Sequence, residues 1–197
     1  MAYCTEKDKF VTEIEYVSQL LRKGVNLPNQ VFQSDFKYFG ICDFGFISTD
    51  EYYENLKNYL VSCGERFLKI VSLDPDPIKY FYNNFGTYPY LEISVESSND
   101  EYIKYINEDP GGSPADSIAM NGRTLVYYTG KNDWAIFCNA ELEVCIVAFK
   151  EKESFSSFKK IGKEMAWLNV EEALKNLFVL NELSKNERNS LKINYAG

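Results

Sequence analysis

The chain of 197 residues carries 29 acidic against 21 basic residues and no histidine, for a net charge of −8 at pH 7. Such a balance argues against a nucleic-acid binder or a protein drawn to anionic membrane, because both need Lys and Arg to neutralise phosphate. The lack of histidine removes Ser-His-Asp and Cys-His catalysis and every His-containing metal site.

In chain order, M-A-Y-C-T-E-K-D-K-F places charges where a signal peptide carries its apolar core. No run of about eighteen apolar residues occurs, so a cytoplasmic protein without a membrane span is expected. Phe10, Val11, Ile14, Val17, Leu20 and Leu21 keep helical spacing, with Thr5 and Asp8 as a capping pair and Gly24 as the stop. K-Y-F-G-I-C-D-F-G-F-I, from Lys37, reads as a strand interrupted by glycine. A second helix is expected after Ser48, which pairs with Glu51; its stripe of Tyr52, Leu56, Tyr59 and Leu60 runs to Cys63 and stops at Gly64.

R-F-L-K-I-V-S-L, from Arg66, is a strand closed by D-P-D-P. Asp76 and Pro77 then cap a short helix that ends near Gly86. Y-L-E-I-S-V-E-S alternates, with Leu91, Ile93 and Val95 on one face and Glu92, Ser94 and Glu96 on the other, a strand with one face wet. A helix from Asp100 to Asn107 and a Pro/Gly loop follow, and Ser113 is expected to cap the helix S-P-A-D-S-I-A-M. R-T-L-V-Y-Y, D-W-A-I-F-C and L-E-V-C-I-V-A-F form a close-set antiparallel meander, the last placed centrally because it is almost continuously apolar. N-V-E-E-A-L-K-N-L-F-V-L-N-E-L is a C-terminal helix, and 184–197 read as a loosely held tail. These elements predict a single α+β domain over 1–197, a mostly antiparallel sheet with helices at the N-terminus, between strands and at the C-terminus, packed on one face.

T-G-K-N-D-W, from Thr129, has the Gly-Lys pair of a phosphate loop, yet Leu125 stands at the first glycine position and Asn132 at the hydroxyl position. A strand follows where a helix must begin, so the stretch is a hairpin turn whose Gly and Asn tolerate positive φ. C-D-F-G-F, from Cys42, holds the letters of a kinase triplet without the rest of a kinase and reads as a kinked strand or a turn into one. The five cysteines are odd in number and lack C-x-x-C spacing, so reduced thiols are expected, with Cys138 and Cys145 facing each other across a hairpin. Glu141 and Glu143 would share one strand face if the strand starts there, a solvated face and too common a spacing to mark a catalytic pair. D-P-D at Asp74 lacks the other oxygen ligands of a calcium loop, and G-G-S-P-A at Gly111 is no nucleophile elbow. No metal or cofactor is implied.

One regional signal remains. Between Asp74 and Asp116 nine acids face two bases, Lys79 and Lys104, and tyrosines are interleaved among them. Carboxylates beside Tyr suit the recognition of a basic protein. The sequence therefore predicts a non-enzymatic protein-binding module, of the kind that serves as an immunity or antitoxin-like inhibitor of a basic enzyme such as a nuclease toxin. Its contact residues would be Asp100, Glu101, Tyr102, Tyr105, Glu108 and Asp109. The alternative is a carboxylate-and-aromatic sugar binder or hydrolase with Trp134 and Trp167 as stacking platforms. Lys150 to Lys163 forms a lysine-rich strip around Phe155 and Phe158 that either packs on the acidic region or marks a second contact.

Overall fold

A computed structural model describes residues 3–161, 167–177, 180 and 182–196. Six strands form one antiparallel sheet in the order β1-β6-β5-β4-β2-β3. They are β1 (Tyr38–Asp43), β2 (Phe67–Asp74), β3 (Tyr90–Ser94), β4 (Thr124–Tyr128), β5 (Trp134–Asn139) and β6 (Val144–Phe149). The expected meander is β4-β5-β6. β6 lies between β5 and β1 and is buried throughout, as its unbroken apolar run requires.

The helices are α1 (Lys7–Leu20), α2 (Asp50–Ser62), α3 (Asn83–Phe85), α4 (Asn99–Ile106), α5 (Ile118–Asn121), α6 (Lys152–Ile161), α7 (Val170–Asn176) and α8 (Lys185–Tyr195). They cover both faces of the sheet, not the single face expected. Strand alternation explains why. Leu68, Leu91, Tyr127, Ile136 and Val147 join one core with Tyr52, Tyr102 and Phe158 of α2, α4 and α6. Their strand neighbours Val71, Tyr90, Tyr128, Phe137 and Ile146 join a second core with Phe10, Val170 and Leu191 of α1, α7 and α8. Two-sided burial of this kind needs a helical layer on each side.

Several local expectations shift by a residue or change type. Thr5 does not cap α1; the N-cap is Glu6, without a side-chain bond, and Cys4 just before it pairs with Tyr88 ahead of β3. Thr49, not Ser48, caps α2 and accepts from Tyr52 N–H, while Ser48 ends a 3-10 turn that leads out of β1 over Phe44–Ser48. That turn is C-D-F-G-F: the Asp43 carboxylate accepts from Gly45 N–H at 2.7 Å, so the chain leaves the strand there. Gly64, at φ +70°, ends α2 with Glu65 N–H donating to Leu60 C=O at 2.9 Å, a left-handed cap that glycine makes cheaply. Asp76 caps a π-helical segment, Pro77–Tyr82, accepting from Ile78 and Lys79 N–H.

Ser113 makes no capping bond. The expected helix there splits into a 3-10 turn, Pro114–Asp116, and α5, which Ser117 caps. Thr129 to Asp133 turn between β4 and β5 as expected, but without left-handed residues. Positive φ among the described residues falls at Gly24, Gly64, Gly86, Gly112 and Glu143. Glu141 and Glu143 lie in the β5–β6 turn and share no strand face. Of the expected tail 184–197, the described residues 184–196 are not loosely held. Ser184 and Glu187 form a capping box, Leu191 and Tyr195 are buried, and the Tyr195 hydroxyl donates to Asn29 C=O at 2.6 Å. The apolar repeat of α8 is too sparse to announce that anchoring. Part of the C-terminal apolar run (178–179 and 181), and Lys163 of the lysine strip, lie outside the described residues.

Candidate functional site

Two regions gather charge. The first lies between α1 and the sheet. Glu13, only 8% exposed, accepts from the Lys69 ammonium at 2.7 Å and from the Tyr128 hydroxyl at 2.9 Å. Helical spacing carries Glu13 inward beside Phe10 and Val17, and alternation in β2 turns Lys69 to the same side. Next to this pair, the α2–β2 loop meets the T-G-K-N-D turn. There Lys131 donates to Cys63 C=O at 2.7 Å and sits 3.1 Å from Glu65. Burial raises the Asp133 carboxyl above its ordinary value, and the Glu65 charge adds to that rise. Burial also pushes the Tyr16 phenol up to about 12, with Asp133, Glu65 and Glu13 contributing. The lysine of the turn thus ties the sheet end to the C-terminal end of α2 and the loop after it.

The second region is exposed. α2 packs on α4, so their N-terminal turns stand side by side. Each first turn is acidic: Asp50 and Glu51 in α2, Asp100 and Glu101 in α4. Asp50 and Glu54 of α2 and Asp100 of α4 line one shallow concavity of about 420 Å³. Lys57 is the cation among them, and its ammonium donates to Ser97 C=O at 3.0 Å.

The six residues singled out in the sequence fall in different settings. Asp100 is exposed and belongs to the concavity. Glu101 is exposed, but its carboxylate accepts from Ser98 N–H at 2.7 Å in a capping box, and those bonds hold its pKa below the ordinary value. Tyr102 is fully buried, stacks on Tyr53 and donates to Ile47 C=O at 2.7 Å, so it presents nothing to a partner. Tyr105 and Glu108 are half-buried in a neighbouring groove that also holds Glu92. The Asp109 carboxylate accepts from Gly111 N–H at 2.8 Å and shapes the Pro/Gly loop.

Other acids of the window have similar tasks. Asp76 caps a helical segment, Asp116 accepts from the Tyr80 hydroxyl, and Glu92 accepts from the Tyr90 hydroxyl. Asp50 and Glu54 escaped sequence reasoning. Their four-residue spacing places them on one face of α2, but only packing against α4 joins them to Asp100.

Other candidates do not assemble into chemistry. Trp134 and Trp167 are 1% and 4% exposed, so neither offers a ring face to a sugar. Cys42, Cys145 and Cys138 stand in register across β1, β6 and β5, all buried and reduced. Burial raises the Cys138 and Cys145 thiols and suppresses the thiolate a nucleophile needs, so the expected facing pair exists as packing. No group of three or more acids or cysteines able to hold a metal ion occurs among the described residues. An apolar cleft of about 560 Å³ opens between α1 and the ends of β2, β4 and β5. Ile14, Leu21, Leu73 and Phe137 make it apolar, and Glu15, Arg22 and Lys23 are exposed at its rim. Among the described residues, the lysine strip makes its main contacts away from the acidic window. α6 packs on α2, β6 and β1, and Lys150 pairs with Asp35 at 2.7 Å. Among the described residues, no helix is long and apolar enough to cross a membrane. No family model, curated protein or solved structure matches the chain.

Proposed function

We propose that the chain is a protein-binding module whose α2–α4 surface recognises a basic partner, as an inhibitor of a cationic enzyme would. The observation that carries this reading is the convergence of Asp50, Glu54 and Asp100, far apart in sequence, on one exposed surface. Carboxylates held this way on two capped helices are preorganised. They steer a basic protein to the surface and pair with its Lys or Arg at little cost in side-chain ordering. Glu13 and Lys69, by contrast, are paired within the fold.

The test is a paired capture. The wild-type chain and an Asp50→Lys, Glu54→Lys, Asp100→Lys variant of matched melting temperature are immobilised, exposed to native lysate at low salt and eluted with rising salt. A basic protein retained by the wild type and lost by the variant is the expected result. Identical eluates from both would contradict the reading.

A further inference from the structure

On the α1 side of the sheet, the strand register turns one carboxylate into the apolar cleft. Ser72 pairs with Leu125 and Asp74 with Thr124, so Leu73 is an extra residue, a β-bulge at the end of β2. Residues opposite each other across a ladder share a face. Val71, Val126 and Phe137 lie in the core beneath α1, so alternation along β4 puts Thr124 on that face and Asp74 with it. Without the bulge, alternation from Val71 and Leu73 would send Asp74 to the other side. Val17, Leu21, Leu73 and Phe137 line the cleft of about 560 Å³, and Asp74 and Thr124 stand at its strand end. Both are half-buried, and neither side chain has a hydrogen-bond or ion-pair partner among the described residues.

The charges around the cleft differ in exposure. Glu15, Arg22 and Lys23 are exposed at its mouth, where water and salt screen them. Asp74 is half-buried beside apolar side chains, where its charge acts through a lower effective dielectric and its lone pairs lack donors. We propose that the cleft binds a small amphiphilic amine. Its hydrocarbon body lies against Leu21, Leu73 and Phe137, and its ammonium donates to the Asp74 carboxylate and the Thr124 hydroxyl oxygen. An anionic head would meet Asp74 as a like charge, and a neutral head would leave the carboxylate without a cation. The net charge of −8 also favours the approach of cations over anions. The cleft lies on the opposite face of the sheet from α2 and α4, so this site is separate from the acidic surface and does not depend on the basic-partner reading.

Octylamine, 1-octanol and octanoate share a body and differ in the head, so they serve as probes. Each is titrated, below its micelle-forming concentration, into the full chain labelled at its Ile, Leu and Val methyl groups and followed by NMR. Octylamine should bind about tenfold more tightly than octanoate, the scale of one charge-assisted hydrogen bond, and should shift the methyls of Ile14, Leu21 and Leu73. Asp74→Asn should remove the preference for the amine while leaving octanol affinity as in the wild type. If that variant does not fold, the order of the three heads on the wild type decides alone. Tightest binding of octanoate would show that Arg22 and Lys23 govern the cleft and would overturn the proposal, as would equal affinity for all three probes. Octylamine shifts confined to α2 and α4, or no shift at all, would overturn it as well.

Discussion

Glu13 and Asp100 are both carboxylates on amphipathic helices, and their surroundings give them opposite roles. Glu13 is 8% exposed and receives an ammonium and a phenol, while Asp100 is exposed and shares its concavity with Asp50 and Glu54. The difference shows where charge serves the fold and where it is left for a partner. A buried ion pair adds little net stability, but either member alone inside the protein is costly. An exposed cluster adds little stability and keeps its field available to whatever approaches.

Breaking the buried pair should give the largest effect. Lys69→Met leaves Glu13 without its cation and should cost about 3 kcal/mol, read by urea denaturation. Alkali should come next. The Tyr16 and Tyr53 phenols are raised from 10.0 to about 12, chiefly by burial. Their contribution is complete below pH 10 and is lost as pH rises toward 12, because the unfolded chain releases those protons first. Denaturant midpoints should therefore fall steeply above pH 10; a flat profile to pH 12 would contradict the burial of these rings. A cap sits between the two extremes: Ser98→Ala should cost about 1 kcal/mol by leaving Glu101 N–H unsatisfied at the start of α4. Replacing Asp50, Glu54 and Asp100 by their amides should cost less than about 1 kcal/mol in all, most of it from the helix N-termini, as thermal melting will show.

Much of the fold was legible because local chemistry wrote it. β4 to β6 announced a meander through short connections, Gly64 announced the end of α2, and Asp76-Pro77 announced a helical start. The second helical layer was not legible. Val126 and Tyr128 gave a strand apolar on both faces, yet α8, which helps cover the second face, carries few apolar residues to mark it. For the site, the acidic window was visible as composition. Its division into Asp76, Glu101 and Asp109, which hold local structure, and Asp100, which does not, depends on hydrogen bonds within a few residues. The join between Asp100 and Asp50 depends on α2 packing against α4, a long-range contact that no periodicity encodes.

The central claim is that the exposed carboxylates, not the buried ones, meet the partner. Hydrogen exchange of the chain, with and without the basic protein it captures, tests this most directly. The account predicts slowed exchange in the first turns of α2 and α4, with the Lys69 and Tyr128 strands unchanged. Protection confined to the apolar cleft between α1 and the strand ends, with α2 and α4 unaffected, would contradict it.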